Sequence, residues 1–152
     1  MNPPTTPRPP SPPGRHAALR RLEPLRALAF EAPLSARVVG SCMAPLLTDG
    51  MRIEVRARRV YFPGDLIAFA AGDGLFVHRF LGYAWKGRLL LLSQADNASR
   101  RDAVIDADRV LGRVCGGEAP PRAIAVPLAD RLRASALWVK WCASRLLAGG
   151  DR

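Results

Sequence analysis

Alternating apolar and polar positions in the middle of the chain predict β-strands. Met51, Ile53 and Val55 alternate with charged residues, and a period of two is typical of a strand with one solvated face. Further short apolar runs, bounded by Gly and Pro turn residues, predict strands at residues 66–70, 75–83, 88–93 and 109–115. Short strands with this punctuation favour a small, mainly antiparallel β domain.

Apolar positions spaced by three and four residues predict helices near both ends of the chain. Between residues 15 and 32, leucines at a spacing of three predict one or two helical turns, which Pro24 interrupts. Residues 126–148 predict one long C-terminal helix. Its apolar stripe consists of Leu128, Leu132, Ala136, Val139, Ala143 and Leu146.

The remaining face of the predicted C-terminal helix carries Trp138 and Trp141 among basic residues. Two interpretations are open. Exposed tryptophans beside basic side chains are typical of a helix that lies in a membrane interface. Alternatively, the helix packs on the β domain, and its arginines extend along it to reach water.

These patterns divide the chain into four segments. Residues 1–14 hold half of the 14 prolines and predict an extended, disordered tail. Residues 15–35 form a helical or linker segment, residues 36–117 the β core, and residues 118–152 the basic amphipathic helix.

The formal net charge is +10, from 23 Lys and Arg against 13 Asp and Glu. Such a charge is typical of proteins that bind nucleic acid, a membrane surface or an acidic partner. Aromatic residues make up only 7% of the chain and do not alternate with the arginines, so we expect no nucleic-acid partner. Much of the charge lies in the terminal segments, which favours a membrane surface or an acidic partner.

The three cysteines and two histidines lack the short, paired spacing of a zinc site or a disulfide framework. We therefore expect neither a metal nor a cofactor. No apolar run is long enough for a transmembrane helix, and the N-terminus lacks the apolar core of a secretory signal. These features predict a cytoplasmic protein, with a peripheral contact at the inner face of the membrane as a further expectation.

Candidate chemistry is concentrated in a series of motifs between residues 37 and 116. They read VGSCMAPL (39–46), DGMRIEV (49–55), PGDLIAF (63–69), VHRF (77–80) and VLGRV (110–114). Asp96-Asn97 and Asp102 lie between the last two. Their order resembles the serine-peptidase superfamily that contains the type I signal peptidases and the self-cleaving SOS repressors. The resemblance implies a small, twisted, antiparallel signal-peptidase-like β fold and a peptide-cleaving activity.

The resemblance also implies roles for individual residues. The family's nucleophilic serine falls on Cys42, and its general base, often lysine, falls on His78. Cysteine is the better nucleophile once ionised, and a nearby imidazole stabilises its thiolate. The family's aspartates fall on Asp96 and Asp102. Either carboxylate can fix the tautomer of the imidazole ring, and the choice between them stays open.

Residues beside Cys42 are expected to bind the substrate and its oxyanion, namely Gly40, Ser41 and Met43. The backbone N–H groups of Ser41 and Cys42 are natural oxyanion donors. Gly40 lets a substrate backbone approach closely, and Met43 shapes the turn that presents residue 42. We expect substrate to add as an extended strand beside residues 37–40.

The leading hypothesis is an endopeptidase that processes a precursor or leader-bearing peptide through a thioester. The predicted lack of a spanning helix departs from ordinary signal peptidases, so the precursor is expected in the cytosol or at the inner membrane surface. One alternative is a catalytically inactive peptide-binding module with a decayed site. A lower-ranked alternative is a repressor-type, DNA-associated regulator, for which the roughly 35 residues before the motif are too few to form a recognition domain.

Overall fold

The computed structural model describes residues 15–71, 74–97 and 104–148, without the side chains of residues 15–21 and 146–148. The sheet strands are β1 (Leu34–Arg37), β2 (Arg52–Arg56), β3 (Leu66–Ala71), β4 (Gly74–Trp85), β5 (Leu89–Gln94), β6 (Ile105–Asp106) and β7 (Val110–Gly117). The helices are α1 (Arg15–Glu31), α2 (Pro121–Ile124) and α3 (Leu128–Ala148), and a 3₁₀ turn covers Ala107–Arg109. The predicted class, mainly β with a C-terminal helix, is confirmed.

The strands form one antiparallel sheet in the order β1-β2-β7-β3-β4-β5-β6. Strand β7 returns between β2 and β3, where Val114 pairs with Val55 and Arg113 pairs with Ile67. Irregular registers interrupt the β2–β7, β3–β7 and β4–β5 ladders. Irregularities of this kind increase the local twist of a sheet.

The burial of side chains along each strand explains the hydrophobic pattern that the strand shows in the sequence. In β2, Ile53 and Val55 are buried and their charged neighbours are exposed, so the period of two reports a strand solvated on one face. In β3 the first four residues, Leu66 to Phe69, are all buried. Both faces of that strand are covered, and it therefore reads as a continuous apolar run.

Helix α1 differs from the prediction, because it runs unbroken through Pro24 for 17 residues. Proline removes one backbone donor and disfavours a helix interior. Here Pro24 is exposed, while Leu22 and Ala29 on either side of it are buried in the main core. Packing on the sheet therefore holds both halves of the helix in place. The predicted tail at residues 1–14 lies outside the described residues.

Helix α3 forms as predicted, but the predicted apolar stripe is not the face that packs. The stripe residues Leu128, Leu132 and Val139 are exposed. Ala134 is buried instead, and Trp138 packs beside it against the sheet.

Trp138 fits tightly against β4 because residue 82 is glycine: a Cβ there would lie 2.3 Å from Trp138 Cδ1. The indole Nε1–H also donates a hydrogen bond of 2.9 Å to the carbonyl of Tyr83. Trp138 and Trp141 are half-buried, which fits the interpretation in which the helix packs on the β domain and not the one in which both tryptophans are exposed. The large indole side chains and the cleft over Gly82, rather than the leucine stripe, determine which face of α3 packs on the sheet.

Asp65 joins the central sheet to α3. Its carboxylate is buried, accepts a 2.9 Å hydrogen bond from the Phe62 N–H, and lies 3.3 Å from Arg113 Nε and 3.1 Å from Arg131 Nη2. Arg131 also donates to the carbonyl of Pro63 at 3.0 Å. A buried carboxylate needs such partners, so the Pro-Gly-Asp turn fixes where α3 begins.

Candidate functional site

The connection between β1 and β2 presents the motif that contains Cys42. Val38 donates to Met51 at 2.8 Å and accepts from the Gly50 N–H at 2.9 Å, which closes the base of the connection. Gly40 has a φ of +86°, a region that favours glycine. Its N–H donates to Asp49 Oδ1 at 2.8 Å. The Gly and Asp of these two motifs therefore fold the segment back on itself.

The turn after Gly40 is anchored in the protein core. Met43 and Leu47 are buried, and the Leu47 N–H donates to the Met43 carbonyl at 2.9 Å. The Ala44 N–H donates to the Ser41 carbonyl at 3.0 Å. Met43 is therefore buried beneath the turn, as expected of a residue that shapes it. Gly40 and Ser41 are exposed and accessible to a substrate.

Cys42 lies beside β4. Its half-buried thiol donates to the carbonyl oxygen of Val77, with an Sγ···O distance of 3.7 Å. Phe80 exchanges both backbone hydrogen bonds with the turn before β3, so alternation along the ladder points the Val77 carbonyl away from β3. On that side the neighbouring strand, β5, ends at Gln94. The thiol therefore lies beside β4, past the end of β5.

His78 directly follows Val77 on β4, and its backbone pairs with Ile67 of β3. The side chain is buried, and its ring centroid lies 5.1 Å from that of Phe69 and 6.4 Å from that of Phe76. The thiol contact at Val77 therefore brings the turn that carries Cys42 to the backbone position next to His78, while the His78 ring packs with Phe69 and Phe76.

Asp96 binds the residue next to His78. Its carboxylate accepts two hydrogen bonds from Arg79, from Nε at 2.8 Å and from Nη2 at 2.7 Å, a bidentate geometry that is strong and directional. Arg79 also donates to the Gly64 carbonyl at 3.0 Å. Asp96 is thus the partner of Arg79. The other candidate carboxylate, Asp102, lies outside the described residues.

Asn97 is a site residue that the sequence reasoning missed. Its side-chain Nδ2 donates to the Ser41 carbonyl at 2.6 Å, and its backbone N–H donates to the Cys42 carbonyl at 3.3 Å. Both bonds reach from the loop after β5 to the turn that carries the thiol. The available signal was the position of Asn97 directly after Asp96, in the motif already singled out.

A groove of about 400 Å³ lies beside this turn. Its walls come from the turn itself, from β4 and β5, and from α3, and they include Pro45, Leu46, Arg79, Leu81, Asp96, Pro120, Arg133 and Leu137. Arg122 and Asp130 pair at its rim through two 2.9 Å hydrogen bonds. The Arg122 hydrogen bond lowers the pKa of the Asp130 carboxyl. The groove is therefore lined by both apolar and charged side chains.

The other two cysteines lie elsewhere. Cys115 is on β7, where burial, followed by the nearby Glu54 carboxylate, raises the pKa of its thiol. A raised pKa makes a thiol less reactive. Cys142 lies on α3 against a second cavity, next to Trp141. Within the described ranges, no three His, Cys, Asp or Glu side chains come together as metal ligands would.

None of the helices in the described part of the chain is both long enough and apolar enough to cross a bilayer. No protein-family model matches the chain, and no curated protein is significantly similar to it.

Proposed function

We propose that the chain is a signal-peptidase-like endopeptidase that processes a precursor or leader-bearing peptide, with Cys42 as nucleophile and His78 as general base. The observation that carries the proposal is the 3.7 Å contact between Cys42 Sγ and the carbonyl of Val77. It joins the motif turn to β4 at the residue before His78. The contact brings the proposed nucleophile to the backbone position next to the proposed base, and the mechanism requires the imidazole to reach the thiol.

The reaction is acyl transfer in two steps. His78 takes the thiol proton of Cys42, and the thiolate attacks the scissile carbonyl carbon. The C–N bond then breaks, the amine leaves with the proton from the imidazole, and a thioester remains on Sγ. In the second step His78 takes a proton from water, the hydroxide attacks the thioester, and the carboxylic acid product and the free thiol are released.

Asn97 has a positioning role in this mechanism. The peptide unit between Ser41 and Cys42 is planar and trans, so the Cys42 N–H points opposite to the Ser41 carbonyl. Because Asn97 holds that carbonyl at 2.6 Å, it also sets the direction of the Cys42 N–H. A donor fixed before the reaction stabilises an oxyanion at little reorganisation cost. Arg79 and Asp96, paired beside it, hold the loop that carries Asn97.

Two surfaces are available to a peptide substrate. Strand β1 is at one edge of the sheet, so a substrate strand can extend the sheet next to residues 37–40. The groove beside Pro45 and Leu46 offers a pocket with both apolar and charged walls for a substrate side chain. Both are reached without crossing the core, which suits a peptide that binds in an extended form.

Alkylation tests whether Cys42 is activated. The protein is treated with iodoacetamide at about pH 6, where a thiol with an ordinary pKa of about 8.5 is almost entirely protonated. Labelling of each cysteine is then followed by peptide mapping. We expect Cys42 to react at least about tenfold faster than Cys142, and the His78→Gln variant to lose that advantage.

The slow internal reference in this experiment is Cys115, whose raised pKa predicts the lowest reactivity. Equal rates at Cys42 and Cys142 in the wild-type protein would show that no thiolate is held at residue 42, and would contradict the catalytic mechanism.

A second candidate function is a peptide-binding module without catalysis. The observation that favours it is that Cys42 and His78 are absent from the residues lining the groove. A peptide-binding groove of this kind does not depend on the thiol. If peptides bind equally to the wild-type and Cys42→Ala proteins and neither cleaves them, the binding module is the correct function.

A further inference from the structure

We propose that the outer face of α3 binds the surface of an anionic phospholipid bilayer. The outer stripe, as we call it, consists of Leu128, Leu132 and Val139, with exposed fractions of 72%, 62% and 57%, together with the exposed Ala136 and Ala143. From Leu128 to Val139 the helix makes about three turns of 3.6 residues. The three large side chains therefore lie in one line.

The outer stripe cannot be buried by rotating α3, because the opposite face is fixed. Ala134 is buried, and Trp138 donates its indole N–H to the carbonyl of Tyr83 at 2.9 Å. The indole also fills the cleft over Gly82. Near the helix start, Arg131 is bound to Asp65. The stripe is thus left in water while the helix is docked on the sheet, and contiguous exposed apolar residues of this kind mark interaction surfaces.

Charge beside the stripe favours an anionic surface. Arg133 and Lys140 are exposed along one flank. The one acidic residue of the helix, Asp130, is already paired with Arg122. A helix with an apolar stripe and basic flanks lies in the plane of a membrane interface, where lipid headgroups carry the complementary charge. The chain as a whole, these residues included, carries a net charge of +10.

The same charges argue against a second copy of the chain as the partner that covers the outer stripe. A two-fold symmetric contact through the stripe would repeat the same patch on both sides, so Arg133 and Lys140 would approach their own copies. Like charges brought together are unfavourable, and no acidic side chain on the outer face of α3 offsets them. A lipid surface buries the same apolar area without that repulsion.

This inference keeps the membrane contact that one interpretation of the sequence gave α3, but it assigns the contact to a different face of the helix. The tryptophans were the candidates for lipid contact, but they hold the helix on the sheet, and the leucine stripe is the face presented outward. Arg133 also borders the groove, so a protein docked in this way has the groove rim near the membrane surface. The docking itself does not depend on the proposed peptidase activity.

The test is flotation of the full chain with vesicles of phosphatidylcholine alone or with about 30% phosphatidylglycerol. We expect binding to the anionic vesicles that weakens with added salt. The double variant Leu132→Gln and Val139→Gln should bind at least about tenfold more weakly. Replacing Arg133 and Lys140 together with Gln should weaken binding by about 30-fold.

The matched control is Leu25→Gln with Leu28→Gln on α1, where both leucines are also exposed. This variant should bind as the wild type does, and circular dichroism should show that all variants are folded. Three results would overturn the proposal: no binding of the wild type to anionic vesicles, equal binding by the stripe variant, or equal loss in the α1 control. A wild-type dimer that the stripe variant abolishes, without vesicle binding, would identify a second copy as the occupant.

Discussion

The side-chain amide of Asn97 donates a 2.6 Å hydrogen bond to the carbonyl oxygen of Ser41. The backbone N–H of Asn97 reaches the next carbonyl along, that of Cys42, at 3.3 Å. The loop after β5 therefore holds two successive peptide units of the turn that presents the thiol. The orientation of Cys42 depends on a residue 55 positions further along the sequence, and this contact can be changed without altering the core.

Replacing Asn97 with Asp removes the donor to Ser41 while keeping the size of the side chain. One hydrogen bond contributes about 1 kcal/mol, so we expect the rate of peptide cleavage, which needs the oxyanion donor, to fall by about fivefold. Quantitative mass spectrometry of the new peptide termini measures that rate. The control is Asp49→Asn, which keeps an oxygen to accept from the Gly40 N–H and should leave the rate unchanged. An unaltered rate in Asn97→Asp would show that Asn97 does not have the proposed positioning role.

Asp65→Asn should be strongly destabilising. The buried carboxylate neutralises Arg113 and Arg131, and removing one partner of a buried ion pair costs about 3 kcal/mol or more. Urea denaturation followed by tryptophan fluorescence measures the free energy of unfolding. The matched change Asp130→Asn breaks an ion pair with the exposed Arg122 and should cost much less, because water screens that pair. Equal losses in the two variants would contradict the role assigned to Asp65.

Gly82→Ala should destabilise the docking of α3. The added methyl group would lie 2.3 Å from Trp138 Cδ1, and overpacking of this kind costs about 1 to 3 kcal/mol. Combining it with Trp138→Leu should cost less than the sum of the two single changes, because the smaller side chain relieves the clash. Urea denaturation of all four proteins gives the coupling energy. Strictly additive changes in the free energy of unfolding would show that the added methyl group does not clash with Trp138.

The stability of the protein should fall at alkaline pH through Tyr61. Burial raises the pKa of its phenol above the ordinary value of about 10. Above that value the unfolded chain loses the proton while the folded chain retains it, so rising pH favours unfolding. We expect the urea midpoint to drop more between about pH 8 and pH 11 in the wild type than in Tyr61→Phe. Parallel drops would show that Tyr61 is not the group responsible.

The parts of the fold that were predictable are those fixed by local burial. Ile53 and Val55 alternate with exposed arginine and glutamate because β2 has one dry face, and that alternation is visible in the sequence. The continuous helix through Pro24 was not predictable, because the contacts that hold it come from Leu22 and Ala29 against the distant sheet. Tertiary packing there outweighs the local preference.

The prediction of which face of α3 packs on the sheet was wrong for a related reason. Spacing alone identifies the leucine stripe as the packing face, yet the sheet has a cleft over Gly82 that accepts Trp138. Such complementarity between two elements is not present in the pattern of either one. In the candidate site, Cys42 and His78 were predicted from motif order, whereas the role proposed for Asn97 depends on a contact spanning 56 residues.

The proposed mechanism depends above all on peptide cleavage by Cys42. The most direct measurement incubates the full chain with a proteome-derived peptide mixture and identifies new termini by mass spectrometry, for the wild type and for Cys42→Ala. We expect new termini with the wild type and none with Cys42→Ala, together with an acyl adduct on Cys42 in acid-quenched wild-type samples. Equal cleavage by the two proteins, or no cleavage by the wild type, would contradict it.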